Sequence, residues 1–165
     1  MLKKIVLGSA LSLLLIGCTD DKSESISEPR SLQQQEVTDL SRCRGRTPVD
    51  TNLYSSKWKS RTRFSNGGTL DKVFDFNRRS LILTGVGRFN GKSDVIEVRT
   101  EMQESSVSSF KTNGSTMAHS TLRHDNELFT FRLQLPKGRF EYSFQGPCLV
   151  LGTGPSKLVL VPSRN

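Results

Sequence analysis

Histidine and cysteine are scarce in this chain, two of the first and three of the second, and their spacing excludes more than it offers. There is no CxxC pair and no pair of histidines four apart, so the usual ligand spacings for zinc are missing. His119 and His124 are five apart, beside Asp125. That odd spacing sends them to opposite faces of a strand and off one face of a helix, and they read as turn and surface residues. No G-x-S-x-G elbow marks a serine nucleophile. The glycines of GVGRFNG lack the following helix that a phosphate-cradling loop needs. No apolar run approaches the roughly 20 residues that cross a bilayer as a helix. Acids are outnumbered, 16 Asp and Glu against 24 Lys and Arg, for a formal net charge of +8. Glu97, Glu101 and Glu104 lie among Arg99 and serines and read as a solvated strand face and loop, not as paired catalytic carboxylates. Asn113-Gly114-Ser115 fits a glycosylation sequon, a short pattern that says little alone. No cofactor is implied, and no constellation amounts to an active site.

What is present begins at the front. Lys3 and Lys4 precede the short apolar stretch IVLGSALSLLLIG, so residues 1–17 read as a secretory signal. The tetrapeptide Leu15-Ile16-Gly17-Cys18 resembles the lipobox of bacterial lipoproteins. That resemblance implies cleavage before Cys18 and a diacylglyceryl group on its sulfur. Each buried methylene of such an anchor contributes about 0.8 kcal/mol, and more than one chain makes attachment effectively permanent. Thr19 follows where inner-membrane lipoproteins usually carry Asp, which implies sorting to the outer membrane, with Asp20 and Asp21 close behind. The expected location is the outer membrane, lipid-anchored, facing the periplasm.

Charge divides the remainder. Residues 18–41 carry the acylated cysteine and a segment with six acids, two bases and no aromatic residue. Such a composition cannot bury enough apolar surface to offset its ordering entropy, so it reads as a flexible acidic tether. Residues 42–165 hold twenty Lys and Arg against ten Asp and Glu and form the folded, basic domain. With Cys18 lipidated, Cys43 and Cys148 remain, and in an oxidising periplasm two cysteines pair in the one way open to them.

Alternation of apolar and polar residues dominates from residue 57 on. Strands are expected over 57–64, 70–76, 80–89, 93–102, 139–145, 148–152 and 157–162, separated by turn residues that include Asn90-Gly91. The Ser-rich, Gly-containing stretch 105–116 reads as a loop. The segment HDNELFTFRLQLPKG fits a strand with Phe129, Phe131, Leu133 and Leu135 on one face, and it also fits a helix capped by Asn126. Composition favours the strand, because Phe and Thr prefer a pleated surface. The fold class is mainly β (α+β): a small antiparallel barrel or strongly curved sheet with room for one short helix.

Several pieces, in order, resemble the META domain (HslJ-like) of a heat-shock protein and of various envelope lipoproteins. They are Trp58, the strand Val73–Phe76, TGVGRFNG at 84–91, and Ser115-Thr116-Met117-Ala118-His119. Glu127 and Phe131 follow, then Tyr142, Gly146, Leu149 and Leu151. The resemblance implies a helix at 126–134. Two cysteines of the family pattern are missing here, with His119 in the place of the second. If they form a bridge in relatives, this chain has moved its bridge to Cys43 and Cys148.

Lys57, Lys59, Arg61 and Arg63 stand at every second position, interleaved with Trp58 and Phe64. On a strand the four cations form one row, about 6.7 Å between neighbours. Arg42, Arg44 and Arg46 extend the field. Such a row suits the phosphates of lipid headgroups or an acidic protein surface, and it also suits an edge strand charged to prevent edge-to-edge pairing. Nucleic acid is not an expected partner in the periplasm. Two readings stay open. One is a non-enzymatic lipoprotein, bound to outer-membrane lipid through acylated Cys18, whose domain binds an anionic lipid or envelope protein in assembly or stress tolerance. The other is a pilotin-like secretion accessory or periplasmic hydrolase inhibitor with a dedicated protein partner, presenting a groove or a protruding loop, for which 105–116 is the natural candidate.

Overall fold

Asn90-Gly91 shows how local chemistry sets this structure. Both residues take left-handed backbone angles, φ 47° and 78°, the geometry a two-residue turn needs to join two right-twisted strands. The turn fixes Phe89 opposite Lys92 and aligns ten residue pairs on either side. The computed structural model describes residues 34–37, 40–152 and 157–163. The signal segment 1–17, Cys18 and most of the expected tether lie outside the described residues.

The strands are β1 (Gln34–Glu36), β2 (Trp58–Phe64), β3 (Thr69–Asn77), β4 (Ser80–Phe89), β5 (Lys92–Ser106), β6 (Ser109–Thr112), β7 (Thr116–His124), β8 (Glu127–Leu135), β9 (Gly138–Gln145), β10 (Cys148–Leu151) and β11 (Leu158–Pro162); a short 3-10 turn spans Leu40–Cys43. Each of β2 to β5 pairs with the next, β6 pairs with β9, and β9 to β11 continue the series. Antiparallel pairing of β11 with β2, Val161 opposite Lys59, closes an eight-stranded up-and-down barrel. β11 covers only the first residues of β2 on that edge. β1 takes over farther along, with Glu36 opposite Thr62 and Gln34 opposite Phe64. The seven strands expected from alternation thus all form, and the closed antiparallel barrel is as expected from their number and turn chemistry.

Three expectations change and one strand is added. Residues 127–135 form strand β8, not the helix that the META resemblance implies; Phe129, Phe131, Leu133 and Leu135 are all buried on one side, a period of two. The stretch 105–116 is not a loop: β5 runs on to Ser106, a two-residue turn follows, and β6 brings Phe110 and Thr112 inward. β7, which had no clear alternation, is a strand as well. The folded part starts no later than Gln34, because β1, inside the segment read as tether, is laddered onto β2.

The β7–β8 hairpin is an insertion between two neighbouring barrel strands, β6 and β9. Thr112, fully buried, pins its exit and return: its hydroxyl donates to the Pro136 carbonyl at 2.7 Å and accepts from the Gly138 amide at 3.0 Å. The apolar side of β8 fills the barrel against glycines. A Cβ on Gly68 would lie 2.6 Å from the Phe129 ring and one on Gly85 2.9 Å from Leu133, with Gly87 closer still to Phe131. The glycines of TGVGRF are therefore where the barrel wall makes room for side chains of the inserted hairpin. Phe64, Phe89 and Phe129 pack together there, with centroids 4.9 and 5.5 Å apart. At the other end Trp58, 1% exposed, donates its indole N–H to the Leu53 carbonyl.

Candidate functional site

The basic row forms, but its members are not equal. Burial alternates strictly along β2, sending Trp58, Ser60, Thr62 and Phe64 inward and Lys59, Arg61 and Arg63 outward, with exposed Lys57 just ahead of the strand. Register then supplies carboxylates from β3. Asp71 faces Arg61 and accepts from its Nη2 at 3.0 Å; Arg88 of β4 reaches the same carboxylate. Lys57 pairs with Asp75 at 3.1 Å. Burial acts to raise the Asp71 carboxyl, but hydrogen bonds and charge from Arg61 and Arg88 outweigh it and hold the group below the usual carboxylate range. Among the described residues no carboxylate pairs with Lys59 or Arg63. Lys59 lies between Val73 and Val161, and Arg63 between Thr69 and Gln35. Arg42 joins this face by donating to the Pro162 carbonyl at 3.3 Å, while Arg44 and Arg46 are exposed. The edge-strand alternative does not describe β2, which has ladder partners on both sides.

Cys43 and Cys148 are joined, with Cα atoms 5.2 Å apart, tying the 3-10 turn to the start of β10. Cys18 lies outside the described residues. His119 and His124 both sit on β7. His119 is exposed and faces Arg132 across the hairpin, whereas His124 lies beside Asp125 at the turn, Nε2 to Oδ2 3.5 Å. Glu97 and Glu101 lie on the exposed side of β5, where Glu97 accepts from Thr84 Oγ1 at 3.4 Å, whereas Glu104 takes the other parity, opposite buried Phe110. Among the described residues no three His, Cys, Asp or Glu side chains gather closely enough to hold a metal ion.

The inside of the barrel holds what the sequence reading passed over. Lys72 occupies an inward position of β3, in register with buried Ser60 and between Leu70 and Phe74 on the same side. Only 15% of its side chain is exposed, and its ammonium pairs with the Glu36 carboxylate of β1, which also accepts from Thr62 Oγ1 at 2.8 Å. Two cavities meet here. One, about 460 Å³, is polar on its rim and includes Thr62, His119 and Thr130. The other, about 450 Å³, runs into the barrel among Phe74, Leu83, Phe110, Leu133, Phe140 and Leu151. Lys72, Arg132 and Gln134 border both. The sequence did carry a signal: in LDKVFDF, Lys72 takes the parity shared by Leu70, Phe74 and Phe76, the one charge on an apolar side.

No helix among the described residues is long and apolar enough to cross a membrane. Comparison of the chain with protein-family models, with curated proteins and with solved structures finds no match in any of the three.

Proposed function

We propose that this chain is an outer-membrane lipoprotein, anchored by acyl groups on Cys18, whose periplasmic barrel binds an anionic envelope component without carrying out a reaction. The observation that carries this reading is the outer face of β2. Among the described residues Lys59 and Arg63 stand there without a carboxylate partner, on either side of Arg61, which is paired with Asp71. The joined Cys43 and Cys148 fit an oxidising compartment, and the lipobox-like Leu15–Cys18 supplies attachment. The order of META-like motifs fits an envelope protein in the same way. The alternative of a dedicated protein partner calls for a groove or a protruding loop; of the loop candidate 105–116, most is β5–β6 ladder.

Cosedimentation with phosphatidylglycerol-containing vesicles at low salt tests the surface. A basic residue close to an anionic bilayer contributes about 1 kcal/mol, roughly fivefold in affinity. Lys59→Gln with Arg63→Gln should therefore lower binding roughly 25-fold, and salt should lower wild-type binding similarly. Arg61→Gln should lower binding less than either of those changes, because Arg61 is turned toward Asp71, a carboxylate that Arg88 continues to hold. Equal binding by the double variant and the wild type would rule this surface out. Labelled palmitate should enter the wild type and not Cys18→Ala; label in neither would remove the anchor from the proposal.

A further inference from the structure

We infer that the barrel interior is a binding site for a single-chain amphiphile with a carboxylate head, a fatty acid in chemical class. The site is separate from the outer face of β2, and its success or failure is independent of that surface. The inner cavity, about 450 Å³, lies within the range of about 300 to 1,000 Å³ usual for small-molecule sites. Its wall is mostly aromatic and aliphatic, which suits an alkyl chain, and the Thr112 hydroxyl within it is engaged with Pro136 and Gly138. Charge is confined to the end where the two cavities meet, at Lys72 and Arg132.

The head group follows from the charges at that end. Lys72 and Arg132 set two cations against one carboxylate, Glu36, and among the described residues no carboxylate pairs with Arg132. The unmatched charge is one, which fits a monoanion. The occupant of Lys72 is already a carboxylate: Glu36, carried by a three-residue strand that is exposed throughout. Glu36 thus marks where a ligand carboxylate fits, and it competes for that place. Ser60, next to Lys72 in the β2–β3 register and 6% exposed, points its hydroxyl inward with no hydrogen-bond partner among the described residues. Ser60 itself lines neither cavity, so it stands behind Lys72 and is not a ligand contact.

The test uses the full chain with Cys18→Ser, so that its own acyl groups cannot fill the site, stripped of bound lipid and titrated by calorimetry. Dodecanoate should bind one to one and at least tenfold more tightly than dodecanol. Each methylene removed from the acid should weaken binding roughly fourfold. Lys72→Gln and Arg132→Gln should each weaken dodecanoate about tenfold and leave dodecanol unchanged, which also reports an intact barrel. Glu36→Gln should tighten dodecanoate by removing the internal competitor, a change that a purely structural ion pair would not produce. Dodecanol binding as well as dodecanoate, or dodecanoate binding indifferent to Lys72 and Glu36, would overturn the assignment. Tighter binding of dodecyl phosphate than of dodecanoate would overturn the carboxylate head in favour of a phospholipid fragment. No binding of any of the three would overturn the site as a whole.

Discussion

Gly87 leaves inside the barrel the room that the Phe131 ring takes, and the two must be read together. Placing a Cβ there overpacks a closed interior, a change that costs about 1–3 kcal/mol. Gly87→Ala should lose that much in urea unfolding, and Phe131→Leu in the same chain should return part of it. Strictly additive losses would show that the two do not share space. Asp71 makes a prediction of the opposite kind, outside the barrel. Its carboxyl is held low by Arg61 and Arg88, so the stabilisation is fully present above the unfolded value near pH 4 and disappears as pH falls through the lower folded value. Asp71→Asn should therefore be less stable than the wild type at neutral pH, with the gap closing as denaturation is measured toward pH 2. A gap that stays constant would remove the ion pairs from the account. Single residues were legible unevenly. The cations of β2 and the odd parity of Lys72 can be read directly, whereas the carboxylates that neutralise Lys57 and Arg61 cannot, because which residue faces which depends on register across β3.

Strands announced themselves in proportion to how apolar their inward side is. β2, with Trp58 and Phe64 at the ends of its inward side, and β4, with Leu81, Leu83 and Phe89, were visible. β7 puts Ala118 and Ser120 on its inner parity, so TMAHSTLRH has no period to detect. β6 hides in a Ser-rich stretch although Phe110 and Thr112 are almost wholly buried. β8 was ambiguous because Leu128, Phe131 and Leu135 also fit a helical spacing; its pairing with β7 over nine residues and the glycine pockets opposite it decide for the pleat. β1 was illegible in principle. Three exposed residues in an acidic segment carry no hydrophobic pattern, and their ladder depends on a partner edge that β11 leaves uncovered. Such an element should open independently. Amide hydrogen exchange should find the β1 ladder far less protected than that of β2 or β4, and Glu36→Gln should loosen it further. Protection of β1 equal to the barrel's would mean that it opens only with global unfolding.

For the molecule as a whole, the disulfide spans 105 positions. In the chain-entropy model closing so long a loop is worth about 4 to 5 kcal/mol. Cys43→Ser with Cys148→Ser should lose about this much in denaturant unfolding; a loss under 1 kcal/mol would mean that barrel closure alone confines the chain. The barrel has its first strand paired with its last, an arrangement set by long-range contacts that no local stretch spells out. Its closure was inferred only from strand count and turn chemistry.

That same cross-link decides how the protein bears a mechanical load. A pull on the N-terminal segment would first unzip β1 from β2, one rung at a time and at small force. The next covalent stop is Cys43, and from there tension passes through sulfur into β10, a strand held on one edge by β9 and on the other by β11. Extraction would then have to shear several ladder bonds at once, and once β1 has parted, β2 with its basic face would lie off the covalent path of the load.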